Sequence, residues 1–234
     1  MKNNISFRLW GRYALFTDPV TKTGGEKCSY HVPTYEAIKG VLKSIYWKPT
    51  IIWHVDKVRV VKPLRTQTKG TKPLVWGGRN SLAIYTFLHD VEYQVEGHFE
   101  WNEHRPELAN DRIDGKHFSI AKRTLEKGGR QDVFLGVRDC QAYIAPCEFG
   151  EGTGAYDDID ELSFGLMFHG FDYPDELGKD ELHSRFWHAT MRHGVLEFPR
   201  PEACEIRRFI RKMIPKGFGL GENVLSVQQE EALL

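Results

Sequence analysis

Two prolines bracket the segment that most constrains how this chain can fold: Pro33 ahead of an amphipathic run and Pro49 directly after it. Between them Ala37, Ile38, Val41, Leu42 and Ile45 recur at the spacing that lays one apolar stripe along a helix. A proline disfavours helical geometry in the residue before it, so the helix has to stop near Tyr46. The pattern predicts a helix over residues 34–46, with Lys39 and Lys43 off the stripe. Its exit, Tyr46-Trp47-Lys48, sets aromatic rings beside an ammonium group. That combination suits a ligand with flat faces and negative charge, which nucleic acid supplies.

Around this helix the chain reads mostly as strands. Residues 5–16 alternate apolar side chains with Ser6, Arg8 and Arg12. Residues 18–28 read as a loop, residues 50–61 form a β-branched run, and residues 81–101 give a further strand. A second helix is expected within 105–127, with Phe118, Ala121 and Leu125 as its stripe and Gly128-Gly129 as its stop. Residues 132–145 supply a fourth strand. The order β-α-β-β-α-β is that of a ferredoxin-like (RRM-like) unit, an α+β fold whose sheet is a common RNA platform. The expected division is a ferredoxin-like domain over 1–146 and a small antiparallel β-domain over 147–234. The second carries strands near 162–169 and 186–198, a terminal helix over 202–213 and a frayed tail.

Composition excludes several classes. There is no apolar run of 18 residues to span a membrane, and the first ten residues lack the apolar core of a signal peptide. Four cysteines without a C-x-x-C pair read as free thiols in a reducing cytoplasm and argue against a zinc site. The net charge of zero hides an asymmetry. Residues 1–130 hold 22 Lys+Arg against 13 Asp+Glu, and residues 131–234 hold 10 against 19. Residues 39–79 carry ten bases and one acid, Asp56, while residues 148–181 carry eleven acids and one base, Lys179. A basic surface for phosphates and a separate acidic one follow from that distribution, although two ordinary solvated faces would give the same count.

The residues best suited to chemistry are Lys116 and His117, in Asp114-Gly-Lys-His at the start of the second helix. An imidazole moves protons near pH 7, and a neighbouring ammonium offsets the extra charge of a pentacoordinate phosphorus. By itself such a pair is more often surface decoration. The acidic cluster Asp157-Asp158-x-Asp160-Glu161 lacks the spacing of a calcium loop, which leaves a solvated loop or a metal-dependent nuclease as readings. The Gly-Phe-Gly-Leu-Gly run at 217–221 has no following Lys-Ser/Thr and is a poor phosphate loop.

Several stretches carry a family resemblance: Phe7-Arg-Leu-Trp-Gly-Arg-Tyr-Ala, Ser29-Tyr-His-Val-Pro-Thr, Gly40-Val-Leu-Lys-Ser-Ile-Tyr-Trp-Lys-Pro49, Phe134-Leu-Gly-Val-Arg-Asp-Cys140 and Phe186-Trp-His-Ala-Thr-Met-Arg-His-Gly-Val195. With these the chain resembles the type I-C (Dvulg) branch of the fifth CRISPR-associated family, within the RAMP superfamily. The resemblance implies a ferredoxin-like domain with a small C-terminal β-domain. It also implies an endoribonuclease, needing neither metal nor cofactor, that cuts precursor CRISPR RNA within the repeat hairpin. The product would keep the protein on its 5′ handle as a subunit of the type I-C interference complex. The family's catalytic Tyr, Lys and His fall on Tyr46, Lys116 and His117. Attack by the ribose 2′-OH on its own phosphate would leave a 2′,3′-cyclic phosphate and a 5′-OH. On charge, Arg8, Arg12, Lys48, Lys57, Arg59, Arg65, Lys69, Lys72 and Arg79 are candidates to grip the repeat stem. The same face would permit non-specific DNA contacts. The alternative is a non-catalytic RNA-binding subunit, as in other branches of the family.

Overall fold

The β-branched runs pair into one antiparallel sheet, and the two amphipathic helices pack on it. The structure, a computed structural model, describes residues 3–233. Strand β1 (Asn4–Ala14) is followed by a short helix α1 (Pro19–Lys22) and then by α2 (Tyr35–Ile45). Next come β2 (Ile51–Val60), β3 (Thr66–Thr71) and the long β4 (Ala83–Trp101). A 3-10 turn (Pro106–Asp111) leads into α3 (Lys116–Glu126), and β5 (Val133–Phe134) and β6 (Gln141–Pro146) form a hairpin. The remainder supplies β7 (Leu162–Asp172), α4 (Pro174–Leu177), β8 (Glu181–Arg192), β9 (Val195–Glu197), β10 (Ile206–Lys212) and α5 (Val227–Glu231).

The sheet runs in the order β10-β8-β9-β2-β4-β1-β6-β5, with β3 paired to β4 and β7 to β8. The molecule is therefore an α+β fold with a large antiparallel sheet and few helices. The strands after residue 146 join the sheet at the β2 end, through Lys57 opposite Glu197 and Arg59 opposite Val195. Beyond the body of the sheet, β3 and the first part of β4 extend as an arm whose tip holds exposed Leu74, Val75 and Trp76.

Helix α2 forms where its sequence pattern predicts. Thr34 adopts an extended conformation and caps it by accepting a hydrogen bond from the Ala37 amide at 3.2 Å. Ile38, Val41, Leu42 and Ile45 are fully buried against the sheet, each contributing about 1.5–3 kcal/mol of apolar transfer. Lys39 is buried as well and pairs with Glu176 of α4, which also holds Lys43 at 3.1 Å. Those two ammonium groups overcome the penalty of burying the Glu176 carboxyl and hold its pKa at about 2.

Several expectations need correction. The terminal helix expected over 202–213 is a 3-10 turn (Pro201–Ala203) followed by β10. Ile206, Phe209, Ile210 and Met213 do repeat at helical spacing, but no buried surface faces that stripe. The backbone instead pairs with the open edge of β8, and Phe209 stays 57% exposed. The second helix splits at Gly115, whose φ of +77° is left-handed, so that 106–111 forms a 3-10 turn and only 116–126 is α-helical. The fourth strand splits at Gly136, with φ +90°, where a Cβ would stand 2.1 Å from the Leu15 carbonyl oxygen. The tail expected to fray carries α5, closed by a reciprocal Ser226–Gln229 capping box and anchored by buried Val227.

Candidate active site

The site forms where α2 ends, α3 begins and the C-terminal segment crosses them. At Tyr46 the backbone leaves the helix for an extended conformation, with φ −158° and ψ 130°. Its amide still donates to Leu42, and its carbonyl accepts from the buried Trp53 indole at 2.6 Å. These contacts fix the residue at both backbone atoms. Its hydroxyl lies 2.9 Å from Nδ1 of His117, the second residue of α3. The sequence-predicted pair is thus brought together across 71 residues, and both side chains are fully buried.

The tautomer of His117 follows from its second contact. Nε2 lies 2.7 Å from the backbone carbonyl of Asp111, which can only accept. Nε2 therefore carries the proton, and Nδ1 accepts from the Tyr46 hydroxyl. Trp101 and Phe99 stand edge-on around the ring, at 5.3 and 6.4 Å. Burial pushes the His117 pKa below its ordinary value; the Asp111 carbonyl and carboxylate act against that, and the nearby Lys48 ammonium adds to it. Burial raises the Tyr46 pKa well above that of a free tyrosine, and Glu230 and Asp111 raise it further. At neutral pH the pair is a neutral imidazole accepting from a neutral phenol.

Asp111 ties the site together and was not apparent from the sequence. Its carboxylate accepts from the Thr50 hydroxyl at 2.7 Å and from the Val227 amide, and it lies 3.5 Å from Lys48 Nζ. The only sequence signal was its proximity to Lys116 and His117. Lys116, beside His117, is half-buried and places its ammonium 2.9 Å from Glu231 of α5. Lys48 is buried between Asp111 and Glu230, the latter at 3.2 Å.

The other basic candidates are dispersed over the molecule. Arg8 pairs with Glu92 at 2.8 Å and lies over Trp10, and Arg12 lies against Tyr13. Lys57 pairs with Glu96 at 3.1 Å. Arg59 is buried, and it latches the acidic loop through Asp157, the Glu151 and Gly152 carbonyls and Gln94. Lys69 sits 3.3 Å above the Tyr13 ring, and Arg65, Lys72 and Arg79 are exposed along the β3–β4 arm. Among the described residues no group of three or more His, Cys, Asp or Glu side chains is gathered as a metal site.

A neutral histidine–tyrosine pair set at helix ends on a large antiparallel sheet places the chain among α+β proteins with a buried polar pair between two helices. Its particular family is shown by comparison. Residues 4–199 match the family described as CRISPR-associated protein (Cas_Cas5), and the chain belongs to that family. It is 31% identical to a protein of Mannheimia succiniciproducens named CRISPR pre-crRNA endoribonuclease Cas5d, over 89% of this chain and all of that one. A protein of the same name from Thermus thermophilus is 28% identical, over 87% of this chain and 95% of its own. A solved structure titled as a CRISPR-associated protein superposes with a TM-score of 0.75 at 33% identity, covering 88% of this chain and 96% of that one. A functionally uncharacterized Streptococcus mutans protein gives 0.73 at 36% identity, with the same coverage.

Proposed function

We propose that this chain is an endoribonuclease that cuts precursor CRISPR RNA within its repeat, without a metal ion. The observation that carries the reading is the contact between the neutral His117 imidazole and the Tyr46 hydroxyl, with Lys116 the preceding residue on α3. The names of the relatives, pre-crRNA endoribonucleases over nearly their whole length, support it. The sheet order β2-β4-β1-β6, with α2 and α3 in the connections, supports a ferredoxin-like platform.

The chemistry follows from the donor and acceptor atoms of the pair once RNA has access to them. The 2′-OH of the nucleotide before the cut passes its proton to the Tyr46 oxygen as Tyr46 gives its own to Nδ1 of His117. The 2′ oxygen bonds to phosphorus, and the phosphorus–O5′ bond breaks in line with it. The imidazolium then returns the proton to the leaving O5′, so the products are a 2′,3′-cyclic phosphate and a 5′-OH. Lys116 stabilises the added negative charge of the phosphorane, helped by the positive end of α3. Proton transfer of this kind contributes about 10²–10⁴-fold.

Of the basic candidates, Arg12, Arg65, Lys72 and Arg79 are exposed and Lys69 is half-buried over Tyr13; we assign these to the repeat stem, and they would also take DNA non-specifically. Retention on the product within the interference complex belongs to the same reading. Four free cysteines suit a cytoplasmic setting, and no helix of the described residues is long and apolar enough to cross a membrane. Incubation with repeat RNA in EDTA tests the proposal. The expected result is cleavage to a cyclic phosphate end. Intact RNA would point to the non-catalytic subunit, and cleavage only on adding magnesium would point to the acidic loop.

A further inference from the structure

Trp47 sits beside the catalytic Tyr46 with no part in the chemistry, and it remains 38% exposed. Its ring is not idle: Phe218 of the C-terminal segment stands edge-on to it, with ring centres 6.0 Å apart. Phe218 also meets the Arg105 guanidinium, whose central carbon is 5.1 Å from the ring centre. Arg105 is only 6% exposed, and its Nε and Nη2 have no hydrogen-bond partner; Nη1 alone reaches Glu107, at 3.3 Å. An aromatic ring in contact with both an indole and an under-satisfied guanidinium occupies the setting in which proteins hold an unstacked RNA base.

Thirteen residues further on, the same segment places carboxylates where phosphates would be drawn. Glu231 takes Lys116 at 2.9 Å and Arg123 at 3.9 Å, and Glu230 takes Lys48 and Arg130. The Val227 amide closes over Asp111, and beneath it His117 and Tyr46 have no exposed surface. No ribose hydroxyl reaches that pair while the segment is seated. Its only helix, α5, has five residues, far too few to persist without docking.

We propose that Trp47 and Arg105 form a nucleobase site next to the scissile phosphate, and that residues 217–231 occupy this RNA track as an internal stand-in which RNA displaces. Phe218 fills the place of the base, and Glu230 and Glu231 fill the places of the phosphates. The proposal rests on the nuclease reading for the identity of the track. RNA entering it exchanges one aromatic and two carboxylates for a base and two phosphates on the same partners. The segment thereby screens the catalytic cations from other anions and favours ligands that satisfy the base site and the phosphate sites together.

The test uses the full-length protein and a CRISPR repeat RNA from the host, 2′-O-methylated throughout so that no 2′-OH can attack. Phe218→Ala and Glu231→Gln are each expected to tighten binding about threefold to tenfold, because the competitor is weakened. Trp47→Ala is expected to weaken binding about tenfold and to cancel the gain of Phe218→Ala in the double variant. Hydrogen exchange of the 227–231 amides should speed up when the RNA binds. Unchanged or weaker binding by both tail variants, or slower exchange of those amides on RNA, would overturn the proposal. Cleavage of unmodified repeat RNA by the wild type is scored separately. Active enzyme with unaffected tail variants sinks this inference alone, and inactive enzyme sinks the nuclease reading while the binding results still stand.

Discussion

In the proposed mechanism His117 is made a base by a carbonyl. Because the Asp111 backbone oxygen fixes the proton on Nε2, the lone pair on Nδ1 is committed to the Tyr46 side. His117→Ala is expected to lose cleavage by at least about 10²-fold while repeat binding changes little; wild-type cutting would remove His117 from the mechanism. Tyr46→Phe keeps the ring and loses the relay, so comparable loss is expected in single-turnover assays at saturating RNA. The depressed His117 pKa sets the pH dependence: the base form persists below pH 6.5, and the acid limb of kcat/KM should lie at lower pH than for a free histidine. A limb centred above 6.5 would contradict a desolvated base. Lys116 and His117 stood out in the sequence as residue types suited to phosphate chemistry, and Tyr46 joined them only through the family resemblance. Asp111, Thr50 and Arg105 did not stand out, because a buried network joined across 61 residues (Thr50 to Asp111) leaves no periodic trace.

Helix α2 shows what a sequence pattern can carry, and β10 shows its limit. Both have apolar residues at helical spacing, yet only the α2 stripe has a sheet to face. The α2 residues are correspondingly costly to change. Leu42→Ala should cost about 2–5 kcal/mol and Thr34→Ala about 1 kcal/mol in urea unfolding, the first by leaving a cavity and the second by removing a cap. Since Tyr46 continues directly from α2, a variant that loosens its last turn should reduce cleavage more than binding. The splits at Gly115 and Gly136 were hidden for a different reason. A left-handed glycine permits a break without announcing one, and the need for it lies in the element packed opposite.

At the scale of the whole molecule, stability should fall in acid in two stages. Burial first, and the Arg185 charge second, hold the His169 pKa at about 3; burial, with Arg200, holds that of His54 at about 4. Both lie below the unfolded value, so the unfolded chain binds more protons and stability declines once pH drops below 6.5. Glu176, held at about 2 by Lys39 and Lys43 against its burial, and Glu100, held at about 2 chiefly by Arg200, add a second decline below pH 4.5. His98, raised chiefly by its hydrogen bond to Asp56, works in the opposite direction in the first window. Urea midpoints measured from pH 7 to 4 should fall throughout; a flat profile would show that these histidines are not held neutral.

The Lys39–Glu176 pair carries a consequence for dissecting the protein. One partner belongs to the first helical face of the chain, and the other arrives 137 residues later. A fragment ending at residue 146 would leave Lys39 without its partner and would bare the edge of β2 that β9 covers. In the whole chain the late segment and the early helix hold one another through this pair. Expression of the N-terminal portion alone is expected to yield insoluble material, because the edge of β2 is left open.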